Sequence, residues 1–206
     1  MKLSVKIEQI IKETRDTFTL ILEKNSLIET YKPGQFLNVF SKINGEEVSR
    51  SYSFSSSAFL NEPPALTIKK MPGGLMSNYL AENLAVGDKI EVRPPSGRFT
   101  TTYSTAKRRL LMIAGGSGIT PIFSILKTVL HEEPASHVTL YYANRNSESV
   151  IFKDQLNELL KLYPNRFTLI HFLETIDQAD ISVEKLIHGR ISKAALAGFL
   201  ENYVET

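Results

Sequence analysis

The sequence predicts a β-rich half followed by an α/β half: a small antiparallel barrel or sandwich of six strands, then a parallel sheet with helical crossovers. Three observations predict it. Up to about Tyr103, short runs rich in Val, Ile, Thr, Phe and Tyr alternate with turns built on Gly, Pro and Asn. After Lys107-Arg108-Arg109 the pattern switches to strand, helix, strand, helix, which implies parallel pairing with right-handed crossovers. Between the two, residues 96–108 are rich in Ser, Thr and Gly and read as a hinge. The expected boundaries are 1–103 for the first domain and 108–206 for the second.

In the first half, strands are expected at 3–12, 16–23, 36–42, 47–56, 65–71 and 89–93. Asn44-Gly45 between two alternating runs is a strong hairpin signal, because both central residues of such a turn need positive φ. One helix interrupts the strands at about 75–83. In the second half, Leu110–Ala114 is a continuous apolar run, as a buried parallel strand requires. A helix follows over Ile119–Leu130, then a strand over Val138–Ala143. Phe152–Tyr163 carries apolar residues at 152, 156, 159, 160 and 163, a helical period. A third strand is expected at Phe167–Leu173 and a third helix at Ile191–Tyr203.

The 206 residues are 42% hydrophobic and 22% charged, which excludes a disordered tail or a coiled coil. The net charge of +2 gives no case for nucleic acid as a partner. No cysteine is present, which excludes disulfides, thiol nucleophiles and cysteine-held clusters in this chain. His131, His137, His171 and His188 lack ligand spacing, so no metal is expected. Without an apolar signal core or a run of eighteen apolar residues, the expectation is a cytoplasmic chain with no membrane partner.

Three motifs can carry chemistry. Gly115-Gly116-Ser117-Gly118-Ile119-Thr120-Pro121 follows a buried strand and opens a helix, where free amides and the helix dipole attract phosphate. An ordinary glycine turn explains the same letters about equally well. In Arg50-Ser51-Tyr52-Ser53, strand alternation puts Arg50 and Tyr52 on one face and Ser53 on the other. The arginine can grip a phosphate with two donors and the tyrosine ring can stack on a flat heterocycle; a polar outer strand face is the plain alternative. Gly73-Gly74-Leu75-Met76-Ser77 opens the short helix and offers a second anion seat, or simply a loop turn.

Taken together and in this order, these motifs resemble the ferredoxin–NADP⁺ reductase superfamily. Pro33-Gly34-Gln35-Phe36 and Pro95-Ser96-Gly97-Arg98-Phe99 add to the resemblance, which covers essentially the whole chain. Within it, Tyr142-Ala143-Asn144-Arg145-Asn146 and His188-Gly189-Arg190-Ile191 are similar to the reductase components of phenylacetyl-CoA epoxidases (phenylacetate degradation) and their relatives. The resemblance implies a Greek-key barrel that binds FAD and an incomplete Rossmann-like domain that binds NADH or NADPH. It implies that Arg50, with Gly73, Gly74 and Ser77, holds the flavin diphosphate, that Tyr52 stacks on the flavin and that Ser53 sits beside its hydride-accepting atom. Tyr52 and Ser53 would thus be the catalytic pair. Gly115, Gly116, Gly118 and Thr120, with Asn144 and Arg145 nearby, would hold the nicotinamide dinucleotide. Glu174 leans toward NADH and Arg145 toward NADPH, and the balance leans to NADH.

The implied activity is hydride transfer from NAD(P)H to FAD, then single electrons to an electron-accepting protein or a ferredoxin-type [2Fe–2S] centre of an oxygenase system. A flavin or ferredoxin reductase of another branch is one alternative, and a FAD-binding fragment without turnover is the other. The fragment follows from a further expectation. The family has a fourth parallel strand beyond this chain's last helix, so the chain is expected to be a truncated product. Any [2Fe–2S] domain would then lie in a longer parent, and strand 110–114 would be an apolar edge. Lys107-Arg108-Arg109 reads as a solvated linker or, less readily, as a docking patch for an acidic partner.

Overall fold

The computed structural model describes residues 2–177 and 185–197. Six strands form an antiparallel sheet: β1 (Leu3–Thr14), β2 (Thr17–Leu22), β3 (Phe36–Ile43), β4 (Glu46–Ser53), β5 (Ala65–Lys69) and β6 (Lys89–Val92). Their spatial order, β4-β3-β6-β1-β2-β5, is a Greek-key order rather than a meander. A single bridge between Phe54 and Leu66, beside the bond from the Ser55 amide to the Ala65 carbonyl, brings the two edge strands together and curls the sheet into a barrel. Asn44 and Gly45 both have positive φ at the β3–β4 hairpin, as that turn demands. Alternate residues of each strand (Val5 and Ile7, Leu20 and Leu22, Leu37 and Val39, Leu66 and Ile68) fill the barrel, and helix α1 (Leu75–Asn83) seals it with Met76 and Leu80.

Four parallel strands make the second sheet, in the order β10-β9-β8-β7: β7 (Arg109–Gly115), β8 (His137–Asn144), β9 (Phe167–Leu173) and β10 (Leu186–His188). Helix α2 (Ile119–Glu132) and helix α3 (Lys153–Leu162) cross between them, and their apolar faces meet Met112, Ala114, Leu140, Tyr142 and Leu169 in one core. The expected order of elements is present. β10 is an addition: the sequence reading passed straight from β9 to a helix. Of that expected helix residues 191–197 are described, and 193–197 of them are helical; 198–203 lie outside the described residues. Among the described residues β7 pairs only with β8, and Ile113 on it is 45% exposed, in keeping with an apolar edge.

The segment between β4 and β5 packs against α2. Ser57 Oγ lies 2.6 Å from Thr128 Oγ1, Ser124 Oγ donates to the Ser56 carbonyl, and Lys127 pairs with Glu62 at 2.5 Å. A Cβ on Gly34, whose φ is +93°, would stand 1.9 Å from the Phe99 carbonyl oxygen. Only glycine lets the chain before β3 pass this close to the segment between β6 and β7. One reading needs refining: Lys107 and Arg109 are exposed, in keeping with a solvated run, but Arg108 is half-buried. The Arg108 guanidinium binds the buried Glu133 carboxylate at the end of α2, and Arg109 opens β7.

Candidate functional site: two adjoining clefts between the sheets

Two clefts open along the seam between barrel and α/β sheet. The first, of about 640 Å³, is lined by Arg50, Tyr52 and Ser53 of β4, by Gly73, Gly74 and Ser77 at the start of α1, and by Gly118 and Thr120 at the start of α2. The second, of about 440 Å³, is lined by Gly115 and Gly116 after β7, Asn144 and Arg145 after β8, Glu174 after β9 and Arg190 after β10. Lys69, Met71 and Ser117 line both, so the clefts adjoin. The second lies at the C-terminal ends of parallel strands, where α/β sheets bind ligands. The twelve residues singled out from the sequence therefore gather in one continuous groove, eight in the first cleft and four in the second.

Ser53 differs from its expected placing. It lines the same cleft as Arg50 and Tyr52, because β4 ends there and the chain turns at Phe54 to bridge to β5. Arg50 is exposed, and its guanidinium reaches only the neighbouring Ser49 carbonyl at 2.7 Å. Its other donors face the cleft mouth free for an anion. Tyr52 packs partly against the barrel core, and burial pushes its hydroxyl up to about 12, so the phenol is neutral over the working range.

The glycine turn after β7 is pinned from below. Tyr142, fully buried, donates from its hydroxyl to the Gly116 carbonyl at 3.1 Å and accepts from the Ile151 amide at 3.2 Å. Thr120 Oγ1 donates to the Ser117 carbonyl at 2.9 Å. No side chain caps the first turn of α2 or of α1; α1 leaves its first amides open, whereas α2 continues from the 3₁₀ turn Gly116–Gly118, whose Gly116 and Ser117 carbonyls take the Ile119 amide. At Gly115 and Gly118 φ is −132° and −63°, which any residue adopts, and a Cβ there would meet no protein atom within 4 Å. Neither strain nor packing asks for glycine at these two positions; the open space in front of them does. That is a cradle a ligand would fill.

A second sign of a missing occupant is Asn144. The residue is 7% exposed, and although the Tyr142 hydroxyl stands beside it, neither its amide nitrogen nor its oxygen has a well-formed hydrogen bond among the described residues. A buried amide left unpaired is costly, and a polar ligand in the second cleft would relieve it. Glu174 is held by Arg190 Nε at 2.6 Å, so the carboxylate that leaned the sequence reading toward NADH already has a cationic partner. Lys69 pairs with Asp16 at 3.5 Å. The sequence reading missed Lys69, Met71 and Ser117; strand alternation from Thr67 put Lys69 on the outward face, a signal that was there to use. Among the described residues no group of three His, Cys, Asp or Glu could hold a metal ion.

Comparison with known proteins agrees with this geometry. Residues 2–101 match the family model described as the oxidoreductase FAD-binding domain, and residues 112–203 match that of the oxidoreductase NAD-binding domain. The chain is 37% identical over 174 residues to the ferredoxin reductase component of 3-ketosteroid-9-alpha-monooxygenase from Rhodococcus rhodochrous, covering 82% of this chain and 49% of that one. It is 37% identical over 194 residues to a component of the 1,2-phenylacetyl-CoA epoxidase from Escherichia coli K12, covering 91% and 52%. The CS-b5R domains of human Ncb5or superpose with a TM-score of 0.83 at 25% identity, over 98% of this chain and 58% of that one. The chain thus spans about half the length of the curated relatives it matches.

Proposed function

Because the chain belongs to the ferredoxin–NADP⁺ reductase superfamily, with an FAD-binding barrel and an NAD-binding sheet, we propose that it forms the reductase part of an oxygenase system. In this reading it takes hydride from NADH or NADPH onto FAD and releases electrons singly to a ferredoxin-type [2Fe–2S] centre. The observation that carries the reading is the pair of uncapped helix starts, α1 and α2, facing each other across one groove with Arg50 and Tyr52 between them. Two dinucleotides each bring a diphosphate, and the groove offers two seats for one. The relatives named as reductase components of monooxygenases support the partner class. The site lies in the chain's two folded parts, which we divide at 103 and 108.

Bound FAD supplies the two-electron to one-electron conversion, which no side chain here performs. The protein's part is positional. Arg50, with the α1 amides beyond Gly73 and Gly74 and the Ser77 hydroxyl, holds one diphosphate. Tyr52, neutral and half-buried, supplies a flat apolar face, and Ser53 offers a hydroxyl at the same level. Gly115, Gly116, Gly118 and Thr120 would hold the second diphosphate, so that the nicotinamide dinucleotide would lie along the same groove. Asn144 and Arg145 complete the far end.

An anaerobic visible spectrum tests this. The chain is loaded with FAD, freed of excess and mixed with NADH or NADPH. A retained flavin band that bleaches, faster with NADH, is the expected result. A retained band that neither nucleotide bleaches would leave only the flavin site, and no retained band would overturn the reading.

A further inference from the structure

Behind the first cleft runs a seam of buried hydroxyls. On the outer face of the barrel Thr19 of β2 lies directly opposite Thr67 of β5. Thr19 Oγ1 donates to Glu13 Oε1 at 2.6 Å, lies 2.7 Å from Thr67 Oγ1, and Thr67 Oγ1 is 2.9 Å from Ser55 Oγ. Ser55 in turn is 3.3 Å from the Ala65 carbonyl. Thr19, Thr67 and Ser55 are 3%, 5% and 4% exposed, while Glu13 is half-buried. Thr67, in the middle of the seam, lines the first cleft, whereas Glu13 at one end, with Thr19 and Ser55, lines a separate groove of about 380 Å³ between barrel and helices.

Three hydroxyl protons serve four contacts, so the chain from Glu13 to the Ala65 carbonyl is one proton short when Glu13 is ionised. With Glu13 ionised, each hydroxyl can turn toward Glu13, which leaves the Ala65 carbonyl without a donor; with Glu13 protonated, each turns toward Ala65 and all four contacts are filled. A row that accepts a proton at either end by turning hydroxyls is a proton conductor.

We propose that Thr67, Thr19 and Glu13 form a proton relay from the first cleft to the opposite groove. The proposal rests on the reductase reading above and gives it a route for its odd proton. Hydride transfer brings two electrons and one proton into the cleft. When the two electrons leave one at a time to one-electron acceptors, that proton remains and must reach water. It passes to the Thr67 oxygen as Thr67 gives its own to Thr19, and Thr19 gives its own to the Glu13 carboxylate, which discharges into the groove. Glu13 suits the exit. Gln155 of α3 donates to its other oxygen at 3.4 Å. Of the charged groups sharing the groove, Lys127 of α2 is already paired with Glu62, and Glu158 of α3 lines the same groove.

Two measurements test the relay. In the flavin-free chain, the carboxyl carbon of Glu13 is titrated by NMR. Its titration moves when Thr67, two hydroxyls away, becomes valine, and returns in Thr67→Ser; a resonance that ignores Thr67→Val overturns the relay. In the FAD-loaded chain, photoreduced so that no nicotinamide is needed, ferricyanide withdraws the electrons while a pH dye follows the proton. Proton release lags electron loss by about tenfold or more in Thr19→Val and Glu13→Gln, and Thr19→Ser restores it. Release that keeps pace in both variants overturns the relay and leaves the reductase reading intact. Failure to retain or reduce the flavin would sink the reductase reading and, with it, the cleft end of the relay.

Discussion

The two glycine turns of the groove look alike as letters and differ as structure. At Gly74 a Cβ would stand 2.7 Å from Ser77 Oγ and 3.0 Å from Met71 Cβ, and Ser77 Oγ accepts from the Met71 amide at 3.1 Å. That turn is closed on itself, so its glycine is explained by the fold. At Gly115 and Gly118 a Cβ would meet nothing. Contacts among the described residues do not explain glycine there. The same letters thus go with close packing in one place and open space in the other, and the space beyond the missing Cβ tells them apart.

The sharpest break of this comparison is Gly118→Leu. Its φ of −63° suits leucine, so the unfolded chain loses freedom and thermal stability holds or rises. The side chain fills the cradle, and affinity for NADH and NADPH falls by about 100-fold, about 2.7 kcal/mol. Calorimetry with each nucleotide, beside a melting curve, checks both halves; an unchanged affinity would put the dinucleotide elsewhere. Next in size is Arg50→Ala. The guanidinium holds only its neighbour's carbonyl, so stability stays within about 0.5 kcal/mol. Loss of a charge-assisted grip lowers FAD affinity by about 10- to 100-fold, read from flavin fluorescence on titration. Gly74→Ala inverts the pattern of Gly118→Leu. Crowding against Ser77 and Met71 costs about 1–2 kcal/mol of stability in denaturant, and flavin affinity follows only as far as the turn shifts.

Most of the fold was legible because it rests on period and punctuation. Asn44-Gly45 specified its hairpin, the Leu110–Ala114 run its buried strand, and the apolar spacing from Phe152 its helix. β10 was not legible: Leu186-Ile187-His188 is three residues, half-buried or exposed, too short to carry an alternation. The candidate site was legible as motifs but not as a surface. Which side of β4 Ser53 faces, and that Arg190 holds Glu174, depend on where chain segments meet in space. The hydroxyl seam escaped for the same reason. Thr19 and Thr67 are ordinary strand threonines until β2 and β5 are paired in register.

Arginines divide as the glycines do, and the last prediction uses that. Arg50 stands open at the cleft, whereas Arg108 is spent inside, on a carboxylate 1% exposed. Burial alone would raise the Glu133 carboxyl, but hydrogen bonds from Arg108, Ser136 and the Ser104 amide outweigh it and hold the group below its ordinary 4.5. A carboxyl lowered by folding stabilises the native state above its unfolded value and loses that contribution as pH falls through the lower folded one. The contribution is therefore present at neutral pH and fades below about 4.5. Glu133→Gln keeps the shape without the charge. Its denaturation midpoint should fall at about pH 7, and the difference from wild type should shrink as pH drops below 4.5 and through the lower folded value, where the native carboxyl takes up its proton. Parallel acid profiles for the two proteins would mean that Arg108 is held by geometry alone, and that the linker it anchors does not depend on this charge.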